Sequence, residues 1–262
     1  MLESLKHSQN SFWTLTYDPE HWPSNGSLDP EDARNWLKRL REKVGYRSLR
    51  YYLVGEYGDQ TWRPHYHAAL FGVPNCRTPD LQRTRRGCSC DVCQAIRSTW
   101  QKGNVFGGEL TTESAAYVAG YMTKKMTSRD DPRLQGRHPE FARMSLRPGI
   151  GAHAVGDIAR VLHSEHGSKA IRDSGDVPTA LMHGRSMMPL GRYLRRKLRE
   201  EVGFENVGGQ DVYKLRTVAE LQALSETHGC IAAALKAKAS SEAVKISQIE
   251  GKARIWSKKG SI

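Results

Sequence analysis

The stretch RPHYHAALFG, residues 63–72, places His65 and His67 two apart in a run that otherwise reads as a strand. Successive strand side chains alternate faces, so both imidazoles point the same way and can reach one ion or one phosphate. Neutral imidazoles are typical ligands for a divalent metal. Glu56 lies near the end of the preceding apolar run, and it comes alongside the pair if the hairpin register sets it opposite an odd-numbered residue. Two histidines and one carboxylate would leave positions open for substrate oxygens. The plainer reading is a pair of partly exposed histidines on a sheet edge.

Tyr117 and Tyr121, four apart in TESAAYVAGYMTKKM, fall on one face of a helix about one turn apart, with Lys124 and Lys125 on the next turn. An isolated helix of this kind reads as a core tyrosine stripe ending in dipole-favoured lysines. Beside a metal-bound phosphate the same residues have a chemistry. The ion polarises the phosphoryl oxygens, and a phenol displaces a sugar hydroxyl to form a phosphotyrosine bond. With a pKa of about 10, the phenol is a better leaving group than a sugar alkoxide, so the bond can be resealed. A second tyrosine on that face would accept the next strand, and a lysine would stabilise the phosphorane or assist proton transfer.

The elements that must position these groups are an α+β set. SFWTLTYD (11–18) reads as a strand. Residues 28–45 read as a helix, with Asp29 as N-cap, Pro30 just inside, Ala33, Trp36, Leu37 and Leu40 on one face, and Gly45 at the exit. LRYYLVGEYG (49–58) and HYHAALFG (65–72) form an antiparallel hairpin, with Tyr66 and Ala68 facing the core. Residues 104–111 are a further strand and 112–126 the tyrosine helix. This order predicts helices packed on a central antiparallel sheet. The catalytic region is expected over 1–150. Residues 151–199, rich in Gly, Pro, Arg and Met, follow as a basic loop-rich region with short helices, and 200–262 as a helical extension.

Between the histidine strand and the tyrosine helix, around 74–100, lies a Cys-rich insertion. Its Cys76, Cys88, Cys90 and Cys93 supply four thiolates, enough for a structural zinc site; reduced free thiols in a small loop are the alternative. Clustered cysteines suit a reducing compartment. Forty Lys+Arg against 28 Asp+Glu give a net charge of +12 over 262 residues, which favours a polyanionic partner such as nucleic acid. The N-terminal MLESLKHSQNSFWTL does not read as a secretion signal, and no apolar run is long enough to span a membrane. The expected setting is the cytoplasm.

FWTLTYD, GEYG with RPHYHAALFG, and AAYVAGYMTKKM together resemble the His-hydrophobic-His (HUH) rolling-circle replication initiators. The tyrosine pair with trailing lysines is most similar to the replication initiators of the microviruses, small single-stranded DNA phages, as is MSLRPGIG (144–151). The resemblance covers residues 11–151. It implies an RRM-like or ferredoxin-like core, His65 and His67 as metal ligands with Glu56 as the third, and Mg or Mn as the metal. It implies Tyr117 and Tyr121 as nucleophiles and Lys124 or Lys125 as the phosphate contact. The product would be a 5′-phosphotyrosine link with a free 3′-hydroxyl that primes synthesis. The substrate would be single-stranded or locally melted origin DNA in the cytoplasm of a bacterial host. Tyr66 departs from the pattern, because its middle position is usually aliphatic and a buried phenol needs a partner.

The sequence carries no G-x-x-x-x-G-K-[ST] loop, so unwinding and synthesis would fall to a host helicase and DNA polymerase. A plasmid relaxase or mobilisation nuclease uses similar parts. A non-catalytic zinc-containing protein that binds single-stranded DNA or RNA, and a zinc-dependent hydrolase, are readings of a different class.

Overall fold

The computed structural model describes residues 1–45, 49–78, 82, 87–121, 128–203, 223 and 226, the side chains of Tyr121 and Arg172 excepted. Lys124, Lys125 and nearly all of the extension read over 200–262 lie outside the described residues. Met1–Gly203 form one compact unit, so residues 151–199 share it with 1–150, and Phe204–Ile262 form a second. No helix among the described residues is long and apolar enough to cross a membrane.

Asp29 accepts a hydrogen bond from the Glu31 amide and opens α1 (Pro30–Val44), which ends on Gly45 at φ 64°. That is the left-handed exit a glycine allows without strain. Ala33, Trp36, Leu37 and Leu40 are all buried, as their spacing predicts. Around α1 run β1 (Asn10–Thr16), β2 (Arg50–Tyr57), β3 (Pro64–Phe71), α2 (Asp91–Trp100) and β4 (Val105–Glu109). After β4 come α3 (Thr112–Tyr121) and a short β5 (Phe141–Met144).

The strand order β4-β1-β3-β2-β5 is antiparallel throughout. The segment β1-α1-β2-β3-α2-β4 is therefore a pair of interleaved β-α-β units, the ferredoxin-like arrangement. The expected α+β class with an antiparallel sheet and flanking helices is what the chain adopts.

The back face of the sheet carries Trp13, Leu15, Leu53, Tyr66, Ala68 and Leu70, which pack with α1 and with Ile96 and Trp100 of α2 in one buried cluster. The sequence reading assigned 74–100 to an insertion, yet α2 is a core helix, and Trp100 is fully buried. Its indole donates to the Thr16 carbonyl at 3.1 Å, and its ring packs on Tyr17 and Tyr66.

Tyr66 has the partners its phenol requires. Its oxygen accepts from the Asp29 amide and donates to the Asp29 carbonyl, both at 2.9 Å. It also lies 2.8 Å from the Tyr17 hydroxyl, which donates to Asp32. The strand carrying the histidines is thus pinned to the first turn of α1.

The outer edge of β4 is closed by one side chain. The Gln82 amide donates to the Gly107 carbonyl at 2.9 Å and accepts from the Gly107 amide at 2.5 Å, as a paired strand would. A Cβ on Gly107 would lie 2.6 Å from the Trp13 ring, so only glycine lets that indole lie against β4.

Beyond β5, α4 (Val155–Leu162), α5 (Glu165–Ser174), the β6 (Ala180–His183) and β7 (Ser186–Pro189) hairpin and α6 (Arg192–Glu201) complete the unit. Buried Asp176 ties α6 to the rest through Arg195 and a two-pronged Arg199.

Candidate active site

The β2–β3 register sets Glu56 opposite His65 and Val54 opposite His67. Directly paired antiparallel residues share a face, so Glu56, His65 and His67 all stand on the front of the sheet. Glu56 Oε1 lies 2.7 Å from His65 Nε2 and 3.0 Å from His67 Nε2. One ligand atom from each of the three falls within 4.8 Å of the others.

The outer ring nitrogens are also engaged. His65 Nδ1 lies 3.0 Å from the Arg63 carbonyl, which can only accept, so this nitrogen carries the proton. His67 Nδ1 is 2.9 Å from Thr14 Oγ1. Both Nε2 atoms therefore face the carboxylate. Either an imidazolium donates to it, or a cation sits among three electron-pair donors.

Burial works to raise the Glu56 pKa. Hydrogen bonds and charge from His65 and His67 outweigh burial, and the carboxyl lies below its usual range. Its second oxygen, Oε2, is buried and makes no hydrogen bond among the described residues. A buried carboxylate with an unused oxygen, beside two imidazoles oriented by outer partners, fits a divalent-metal site.

Helix α3 crosses the same face. Thr111 and Ser114 exchange side-chain to backbone hydrogen bonds at its start, an N-terminal capping pair. The Tyr117 ring stands edge-on to the His67 imidazole, centroids 5.4 Å apart at 87°. Tyr117 is 47% exposed, open to an incoming ligand. Tyr121 is the last residue of α3, one turn further on.

Behind the sheet a second group of ligand atoms converges. Cys76 Sγ lies 3.6 Å from Cys88 Sγ and 4.0 Å from Cys90 Sγ, and all four cysteine sulfurs fall within 4.8 Å of one another. The Thr78 hydroxyl and the Cys90 amide bring the Cys88 thiol down to about 6, whereas burial raises those of Cys76 and Cys93.

Residues 10–126 match the family model of the replication-associated protein ORF2. This stretch belongs to that family. The chain is 39% identical over 139 residues to the replication-associated protein VP4 of Bdellovibrio phage phiMH2K, covering 49% of this chain and 43% of that one. It is 38% identical over 152 residues to the replication-associated protein ORF2 of Spiroplasma virus 4, covering 54% and 46%. A third relative, the replication-associated protein ORF4 of Chlamydia phage 1, is 34% identical over 131 residues, 47% of this chain and 33% of its own. The chain thus spans less than half the length of these curated relatives. No solved structure matches it.

Both ligand groups and both tyrosines fall inside the stretch that matches the family. The structure brings Glu56, His65, His67 and Tyr117 together on one face of this domain and gathers the four cysteines on the other. The sequence reading missed Thr14 and Phe12, whose ring stacks on His67 at 5.5 Å. Alternation along β1 puts Phe12 and Thr14 on one face, but only the pairing of β1 with β3 sets Thr14 beside His67.

Thr14 supports a ligand rather than being one. Thr14→Val keeps the shape and removes the hydroxyl. It is expected to weaken Mn²⁺ binding by about 10–100-fold, the usual cost of losing an outer partner of a ligating histidine. Calorimetric titration of the full chain measures this, and an unchanged Kd would show that Thr14 does not orient His67.

Proposed function

We propose that this chain initiates rolling-circle DNA replication by nicking single-stranded or locally melted origin DNA with a tyrosine nucleophile. The observation that carries the reading is the Tyr117 ring set edge-on against His67, directly at the Glu56–His65–His67 cluster. The likeness of residues 10–126 to replication-associated phage proteins and the net charge of +12 support it.

Glu56, His65 and His67 would hold a divalent ion, Mg or Mn. When bound, that ion polarises the phosphoryl oxygens and neutralises developing charge. The chain's own residues do the rest. The Tyr117 oxygen loses its proton and attacks the phosphorus. A tyrosine O–P bond forms, the bond to the 3′-oxygen breaks, and that oxygen leaves as a hydroxyl after taking up a proton. The DNA keeps a 5′-phosphotyrosine link and a free 3′-hydroxyl from which synthesis starts. Tyr121, one turn along the same helix, takes the second transfer and allows rejoining. Lys124 or Lys125 contacts the phosphate. A host helicase and polymerase supply unwinding and synthesis in the bacterial cytoplasm.

The test uses circular single-stranded DNA of the genome that encodes the chain, incubated with Mn²⁺, with Mg²⁺, or with a chelator. A denaturing gel is expected to show linear DNA joined to protein in either metal and intact circles with chelator. Peptide mass spectrometry should find the nucleotide on Tyr117 or Tyr121, and a polymerase should extend the new 3′ end. Intact circles under all conditions, despite measurable DNA binding, would sink the reading.

A further inference from the structure

The cysteine cluster answers to a different metal and a different task from the histidine site. Its sulfurs stand 3.6 and 4.0 Å apart where measured pairwise, and all four lie within 4.8 Å. Four sulfurs around one zinc at a bond length of about 2.3 Å form a tetrahedron with edges of about 3.8 Å. The spacing is far too long for a disulfide, whose sulfurs bond at about 2.05 Å. It is also too tight for an iron–sulfur cluster, which places bridging sulfides between two separated thiolate pairs.

We propose that Cys76, Cys88, Cys90 and Cys93 bind one structural Zn²⁺ that fastens the start of α2 to the end of β3.

The surroundings fit a closed, unreactive site. Cys76, Cys88 and Cys93 are buried and belong to the same core cluster as Trp36, Ile96 and Trp100, while Cys90 is partly exposed. Four protein ligands fill the tetrahedron and leave no position for substrate, which separates structural from catalytic zinc. Cys88 Sγ already receives the Cys90 amide at 3.3 Å and lies 3.0 Å from the Thr78 hydroxyl, the outer-shell bonds that stabilise a ligating sulfur.

The position in the chain gives the ion its task. Cys76 lies just beyond β3, Cys90 immediately precedes α2 and Cys93 is in its first turn. One ion joining these points closes the loop between strand and helix, which otherwise costs conformational entropy at each folding event. It also fixes the entry angle of α2, whose far end carries Trp100 against the back of the histidine strand. The inference does not depend on the nicking chemistry.

The test begins with metal analysis of the full chain purified without chelators. One zinc per chain is expected, and X-ray absorption should show four sulfur neighbours at about 2.3 Å. Zinc should disappear in Cys88→Ser with Cys90→Ser. Because that variant can fail to fold for other reasons, the unmodified chain is also stripped under reducing conditions and titrated with Co²⁺. One equivalent should produce the sulfur-to-cobalt absorption of a four-thiolate site, and Zn²⁺ should bleach it. The chain carrying His65→Ala with His67→Ala should keep its full zinc content. Absence of zinc together with failure to take up Co²⁺ would overturn the proposal. So would four-sulfur iron in place of zinc, or loss of zinc in the histidine variant.

Discussion

Replacing both Tyr117 and Tyr121 with Phe is expected to abolish the covalent protein–DNA product, a loss on the order of 10³-fold or more, as for removal of a catalytic nucleophile. The change deletes two oxygens and leaves both rings. Tyr117 is 47% exposed, so losing its hydroxyl should shift stability by no more than about 0.5 kcal/mol. DNA binding should survive, because the basic surface and the histidine site are untouched. The single variants then divide the labour. If Tyr117 makes the first attack, Tyr117→Phe alone removes the initial adduct, while Tyr121→Phe permits nicking and blocks transfer to a second strand. An adduct that persists in the double variant would place the nucleophile off α3 and undo the assignment.

The second large effect lies behind the sheet. Trp100→Ala is expected to destabilise the Met1–Gly203 unit by about 3–5 kcal/mol, through lost burial and the cavity left behind. That is a large share of the roughly 5–15 kcal/mol that holds a typical domain together. The indole is fully buried, donates to Thr16 and packs on Tyr17 and Tyr66, so no neighbour can collapse into its place without breaking a hydrogen bond. Denaturant unfolding monitored by circular dichroism measures it. A loss below about 1 kcal/mol would mean that α2 packs loosely. Residual Mn²⁺ affinity should fall in the same variant, since Tyr66 lies between the two histidines in β3.

The parts legible in the sequence were those with local signals. The cap, the apolar face and the glycine exit of α1 all lie within one continuous stretch. The β2–β3 hairpin is also local, which is why Glu56 was placed beside His65 from its register. Helix α2 went unread although Cys93, Ile96 and Trp100 have helical spacing, because the cysteine spacing drew the reading toward a loop. Strand β5 is four residues at a sheet edge, too short for alternation to mark it. Thr14, Phe12 and the Asp29 partner of Tyr66 depend on contacts between residues 37 or more apart in the chain, which no local pattern reports. Convergence of Cys76 with the other three cysteines likewise depends on how the loop closes.

The Tyr66 phenol has a consequence for how this protein can change over generations. Its hydroxyl serves both backbone groups of Asp29 and meets Tyr17, so an aliphatic residue at 66 strands a buried amide and a buried hydroxyl at one stroke. Each such orphan costs about 1–3 kcal/mol. Positions 17, 29 and 66 are therefore epistatic. A lineage can exchange the tyrosine between its histidines for valine or leucine only by remodelling the helix start and the neighbouring strand at the same time. Substitutions at the three positions should be inherited as a set.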